Sequence, residues 1–371
     1  MGATSSNPAE QISTAEDQSS TSNVQYLLGD LQKLAPSARK LFNLGKECLT
    51  TSVARLPFGN EPELKFQETT NPADLQDPDF RLFRPLKLTQ PLYSGQTYIK
   101  WRSVRDVQNV YAFCAPVKTI IYIQPIDEFP EFIQKFCLTT KRLELTLFSL
   151  LQSFCQIYFS FQSLHVLERV AIVNPITAYF FQITSRHHSV TEQKQYYVGD
   201  FFPYLQRSMP SNGLCVLGLT WTDLYPQDDL NFVLGESSTV HKSAVFCFGR
   251  YEPKGFDKET HCDIKEVDGL LIWKLLRIIS HETCHLLGFQ HCTFFHCAMN
   301  ESNSIQEAIT QPLFLCPVCL RKLQKCCGFN VIERYKAMAG FLQELQDQLP
   351  CEQLQSATNW LQKCLQYLEE G

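Results

Sequence analysis

The chain has no block of lysine and arginine, although 33 of its 371 residues carry one of those side chains. Phosphate backbones are held by clustered positive charge, so a net charge of −5 and a pI near 6.0 argue against a DNA or RNA surface. There is no glycine-rich phosphate loop and no internal repeat. The first 25 residues, MGATSSNPAEQISTAEDQSSTSNVQ, lack the apolar core of a secretory signal. No apolar run is long and pure enough to cross a bilayer. The longest uncharged stretch, Leu145 to Leu164, is interrupted by Thr146, Ser149, Gln152, Ser153, Gln156 and Ser160, and reads as a buried helix followed by a strand. Histidine is scarce, with nine in the chain, and methionine scarcer, with four.

Cysteine, by contrast, is abundant at sixteen. Without a secretory signal that number points to a reducing cytosolic or nuclear setting, with thiols free or on metal rather than in disulfides. The apolar and charged fractions, 44% and 19%, are those of an ordinary globular protein. Residues 1–25 read as a disordered polar tail. Its start, Met1-Gly2-Ala3-Thr4-Ser5-Ser6, fits the loose N-myristoylation pattern at Gly2, but no polybasic second signal follows.

Residues 26–113 form an N-terminal region with helical leucine spacing around Pro36 and then Pro-rich loops; it carries no recognisable chemistry. From 114 to 371 the pattern sharpens. VKTIIYIQPI reads as a buried strand, Leu143 to Phe161 as an amphipathic helix, HVLERVAIV and AYFFQIT as strands, and Gln195 to Met209 as a second helix. LCVLGLTWT, NFVLG and AVFCFGRY read as further strands. A helix then begins near Gly269, and helices over 319–327 and 331–349 are broken by Gly328, with a last amphipathic piece after Pro350. That order gives an α/β or α+β layered domain.

The scarce histidines concentrate in HETCHLLGFQHCTFFHC, His281 to Cys297. His281 and His285 are four apart, so on a helix both imidazoles leave one face and reach one zinc at about 2.0–2.1 Å. Glu282 lies between them, placed to hydrogen-bond a water rather than to ligate. Gly288 ends the helix and turns the chain, and His291 returns as third nitrogen. Three protein ligands leave the fourth position open, the mark of a catalytic zinc. Cys292 and Cys297, with Cys316 and Cys319, make a C-x4-C plus C-x2-C set suited to a closed, structural zinc with Zn–S near 2.3 Å. Two zinc ions per chain are therefore expected. Cys284 reads as an inert buried thiol and His296 as an exposed or outlying histidine, since no ligand position remains for it.

The pattern HExxHxxGxxH with Met299 in the following turn resembles the metzincin signature. With C-x4-C-x-M and the later C-x2-C it is similar to the archaemetzincins, a family of zinc metallopeptidase-like proteins. The similarity runs from Leu214 to about Tyr335, including LGLTWTDLYP and GFNVIERYKA, and more weakly back to IIYIQPI. It implies a metzincin-type zincin fold: a twisted mixed sheet with three main helices, the HExxH helix in the core, and a four-cysteine zinc, here followed by extra C-terminal helices. It also implies catalytic zinc on His281, His285 and His291, general base Glu282, the methionine turn at Met299, and structural zinc on Cys292, Cys297, Cys316 and Cys319. One departure stands out. Animal relatives tend to place Gln-Gly after the turn methionine, and this chain has Asn300-Glu301.

The reading that follows is peptide hydrolysis by a zinc-activated water with Glu282 as proton acceptor. Small peptides or N-terminal trimming are the substrates that the resemblance suggests, and the strand near AVFCFGRY is the candidate rim for pairing an extended peptide. The alternative is a weakly active or inactive zinc-stabilised protein that binds peptides or partners. A nucleic-acid-binding zinc module is disfavoured by the acidic pI and by Cys292 standing beside a catalytic ligand.

Overall fold

A computed structural model describes residues 95–111, 120–139, 144–160, 164–167, 183–189, 192–249, 266–302 and 305–369, with 27–31, 34, 39, 83 and 86 upstream. The expectations for the tail to residue 25, for Gly2, for the Pro-rich loops and for most of HVLERVAIV and AYFFQIT lie outside these residues.

A five-stranded sheet forms the centre. Its strands are β1 (Ile120–Ile126), β4 (Leu164–Val166), β7 (Gly213–Thr220), β9 (Gly235–Ser238) and β10 (Ser243–Cys247), in the order β4-β1-β7-β10-β9. All pairs are parallel except β10 with β9. A mixed sheet with helices packed against it is the α/β architecture that the element order implied.

Strand side chains alternate between faces, and here the alternation separates two apolar layers. Ile121 and Ile123 of β1, Cys215, Leu217 and Leu219 of β7, and Ala244 and Phe246 of β10 face one layer. Tyr122, Ile126, Val216, Val245 and Cys247 face the other. The first layer is closed by α1 (Tyr98–Tyr111), α3 (Leu147–Phe159), α5 (Gly269–Leu286), α7 (Pro317–Cys327), α8 (Val331–Gln348) and α9 (Glu352–Glu369). The second is closed by α4 (Phe201–Ser208) through Phe201, Phe202 and Leu205. Both faces of β1 and β7 are buried, which explains their unbroken apolar runs.

The helix that carries the histidines is α5. Asp268 caps it by accepting from the Leu271 amide at 2.7 Å, a contact worth about 1 kcal/mol. Trp273, Leu275, Leu276 and Ile279 are buried, so the helix lies in the core rather than on it. It ends where Gly288 takes φ +84°, a conformation that favours glycine.

Several boundaries differ from the sequence expectation. The helix predicted over Gln195–Met209 is β6 (Lys194–Tyr197), one 3₁₀ turn (Val198–Asp200) and then α4. β6 pairs with β5 (Ser185–His187) and with β8 (Asp223–Tyr225), and the buried Gln195 side chain donates to Asp223 Oδ2 at 2.7 Å. Pairing and a satisfied buried amide override the helical spacing. In NFVLG Val233 forms a bridge to Leu224, and Gly235 opens β9, which runs on to Ser238 and pairs with β10. α1 was absent from the sequence reading; its Tyr98 and Trp101 join the same core as α5. No helix of the described residues is long and apolar enough to cross a membrane.

Candidate metal centre

α5 presents His281 and His285 one turn apart, and the loop after Gly288 brings back His291. The three imidazole rings sit with centroids 4.7, 5.3 and 4.8 Å apart. Nε2 of His281 and Nε2 of His285 are 3.0 Å apart, close to the roughly 3.3 Å spanned by two nitrogens on one tetrahedral zinc. A nitrogen from each of the three lies within 4.8 Å of the others.

The outward nitrogens are fixed by backbone. His281 Nδ1 is 2.7 Å from the carbonyl of Ala298, and His285 Nδ1 is 2.7 Å from that of Phe289. A carbonyl only accepts, so both Nδ1 atoms carry the proton and both Nε2 lone pairs turn inward. Burial holds the pKa of all three imidazoles below its ordinary value, and neighbouring histidines add to this for His281 and His291. Neutral imidazoles are the form that binds a metal.

Glu282 stands beside this triad, 6% exposed, on the wall of a cleft of about 1350 Å³. Burial pushes its carboxyl up to about 7, opposed by a hydrogen bond from Ser237 of β9. Glu236, also on β9, lines the same cleft, and burial raises its carboxyl with Glu282 adding to the shift. A divalent cation on the triad would pull the Glu282 pKa back down.

The four cysteines form a second, fully buried cluster. Cys292 Sγ and Cys316 Sγ are 3.6 Å apart, far beyond a disulfide bond and near the separation of two thiolates on one zinc. Hydrogen bonds from Cys297, Cys316 and Cys319 hold the Cys292 thiol well below its ordinary pKa, whereas burial pushes Cys316 up. Cys316 stands at the residue before α7 and Cys319 sits in its first turn, after Pro317.

With this geometry in hand, the likeness to known proteins is specific. Residues 204–325 match Peptidase family M54. Archaemetzincin-2 of Rattus norvegicus is 30% identical over 248 residues, covering 62% of this chain and 65% of the relative. Archaemetzincin-1 of Homo sapiens is 29% identical over 266 residues, covering 65% of this chain and 49% of the relative. These matches support the archaemetzincin family. The chain spans just under two thirds of the rat relative and about half of the human one. The archaemetzincin crystal structure from Methanopyrus kandleri aligns at 24% identity over 57% of this chain and 97% of that chain, with a TM-score of 0.37.

In this chain the turn Ala298-Met299-Asn300 joins the two clusters. Ala298 O orients His281, and Met299, fully buried, accepts from the Cys292 amide at 2.7 Å. Asn300 then pins the cysteine loop. Its Nδ2 donates to Cys292 O at 2.8 Å and Phe295 O at 2.9 Å, and its Oδ1 accepts from the Cys297 amide at 2.8 Å. The residue that departed from the relatives' pattern is therefore a buried brace. Glu301 follows on the cleft wall, and its carbonyl accepts from Gln311, which in turn contacts Arg277 of α5. Cys284 is buried in the motif helix, and His296 is half-buried outside both clusters.

The bracing role of Asn300 and the contacts of Arg277 are not legible in the sequence. Neither has a motif signature, and only the backbone groups that they satisfy reveal them. Asn300→Ala is expected to destabilise the protein by about 3 kcal/mol, since three buried backbone groups lose their partner at about 1–3 kcal/mol each with partial relaxation. Chemical denaturation of the metal-loaded protein measures it; a change below about 0.5 kcal/mol, the scale of an ordinary surface substitution, would show that the brace is dispensable.

Proposed function

We propose that this chain is an archaemetzincin, a zinc-dependent metallopeptidase that hydrolyses peptide bonds, with His281, His285 and His291 as the catalytic metal ligands. The observation that carries the reading is the pair of Nδ1–H···O=C contacts, which turn imidazole lone pairs onto a common point beside a buried carboxylate in a cleft. Such outer contacts are what orient metal-ligating histidines. Zinc held there would supply a Lewis acid and would lower the pKa of a bound water.

The chain's own residues do the rest. Glu282 takes the proton of the water and returns it to the leaving amine. Ser237 holds the Glu282 carboxylate against β9. Among the described strands β9 is the edge of the sheet on the cleft side, so an extended peptide would add to it by backbone pairing. The AVFCFGRY strand has no such role, because β10 lies between β7 and β9. Cys292, Cys297, Cys316 and Cys319 hold a second, structural zinc, and Met299 is the buried residue of the methionine turn. The fold reading is the metzincin type, with α5 as the HExxH helix. All these residues fall within 114–371. The proposed setting is the cytosol or nucleus, where the thiols stay reduced.

Digestion of a peptide library by the zinc-loaded protein tests the reading: cleavage should appear, vanish with a chelator and return with zinc. No cleavage of any peptide would sink it. Metal removal should also be stepwise. The three-histidine zinc has an open position and leaves first, taking hydrolysis with it, while the closed four-thiolate zinc stays. One zinc per chain in unchelated protein, or loss of both in a single step, would contradict the two-site scheme.

A further inference from the structure

We infer that residues 95–105, upstream of the stretch matched to the peptidase family, are a strap that positions the third histidine ligand and sets the metal affinity of the three-histidine site. The inference rests on the proposed role of that site.

The chain between the last turn of α5 and His291 is short and contains Gly288 at φ +84°, so by itself it is a permissive hinge. The strap grips its backbone repeatedly. Trp101 Nε1 donates to Leu287 O at 3.1 Å. Gln96 Nε2 donates to Gly288 O at 3.0 Å, and Gln96 Oε1 accepts from the Gln290 amide at 3.0 Å. The Phe289 ring meets Trp101 edge to face, with centroids 5.8 Å apart, and the Lys322 ammonium lies 5.6 Å from its centroid. Phe289 O is also the acceptor that fixes His285. The strap therefore holds the residue just before His291 and the carbonyl that orients His285.

Gln96 also ties the hinge to the cysteine cluster. Lys322, 1% exposed on α7, donates to Gln96 O at 2.6 Å and to Gln96 Oε1 at 2.8 Å. α7 is the helix whose first turn carries Cys319. A buried ammonium needs such acceptors, so strap, hinge and α7 are locked together. The fit is close. A Cβ on Gly95 would come 2.5 Å from Phe294 Cζ and 2.6 Å from Thr293 Oγ1, and Phe294 is 1% exposed.

Removing an outer contact that orients a metal ligand typically weakens metal binding about 10–100-fold. The test uses the full chain and a chromophoric zinc chelator, with Gln96→Ala, Gln96→Glu and Gly95→Val against the parent. Arg102→Ala, on the exposed side of α1, is the control. Cobalt substitution gives a separate readout, because the thiolate charge-transfer band reports the four-cysteine site alone. The expected result is a 10–100-fold weaker three-histidine site in Gln96→Ala, with the thiolate band and the control unchanged, and a weaker three-histidine site in Gly95→Val, whose added carbons also meet Thr293 and Phe294 of the cysteine loop. Gln96→Glu should also weaken it, since a carboxylate cannot donate to Gly288 O. Should Gln96→Ala lose the thiolate band, Gln96→Glu decides in its place. Parent-like affinity in Gln96→Glu and Gly95→Val would overturn the inference. A parent that binds two zinc ions but cleaves no peptide would sink the hydrolytic reading and leave this measurement standing; a parent whose three-histidine site takes no zinc would overturn both.

Discussion

Replacing Glu282 by alanine is expected to lower peptide hydrolysis on the order of 10²–10⁴-fold while both metal clusters stay filled, the range typical of losing a positioned general base. The carboxylate lies beside the histidine triad, not in it, so its removal deletes no ligand. It is buried, and its hydrogen-bond partner Ser237 lies on the edge strand rather than on α5. The variant should therefore keep its fold, since a buried carboxyl raised to about 7 contributes little as a charge to stability. Two measurements decide it together, zinc per chain and kcat/KM on a peptide cleaved by the parent. A variant with two zinc ions and parent-like turnover would mean that the hydrolysis arises elsewhere. Loss of the first zinc would mean that Glu282 holds the metal rather than the proton.

Legibility in the sequence followed the locality of the physics. The spacing of His281 and His285 translates directly into one helix face, and the structure brings their rings together with His291. The two cysteine pairs are separated by eighteen residues, yet each pair is compact enough to be read as half of a tetrahedral site. Elements with strong periodicity, β1, β7, α5, α8 and α9, fell close to their expected places. What failed was set by distant partners. β6 has helical spacing and becomes a strand because β5 and β8 flank it. β9, with the sequence Gly-Glu-Ser-Ser, has no apolar pattern at all and exists because β10 offers a free edge. α1 was hidden because its apolar residues do not share a face: Trp101 is buried at 2% while Ile99 and Val104 are exposed at 48% and 59%. Its value to the site, with that of Gln96 just before it, lies in hydrogen bonds across more than 180 residues of sequence, which no local pattern encodes.

Cys316→Ser or Cys319→Ser should cost the protein far more than one cysteine's packing, and should weaken the three-histidine site as well. His291 and Cys292 are consecutive, with Cα atoms about 3.8 Å apart, so a metal on the thiolates anchors the backbone that delivers the third imidazole. The braces run the same way. Cys292 bonds Met299, Asn300 bonds Cys292 and Cys297, and the neighbouring Ala298 carbonyl orients His281. Cys316 adds its own amide to Cys297 Sγ at 3.2 Å. α7 is then held at its first turn by the thiolates and one turn later by Lys322 on the strap. Zinc on such a site contributes about 10–16 kcal/mol in small zinc-finger peptides, as much as the roughly 5–15 kcal/mol that stabilises a whole domain. Even a fraction of that exceeds what the loop can lose and remain ordered. The expected outcome is loss of zinc from both sites, or a folded fraction in which the remaining zinc binds more weakly and hydrolysis falls with it. Metal content and peptide cleavage are measured in the folded fraction of each variant. One tightly held zinc with full activity would mean that the cysteine site stands apart from catalysis and that the adjacency of His291 and Cys292 carries no coupling.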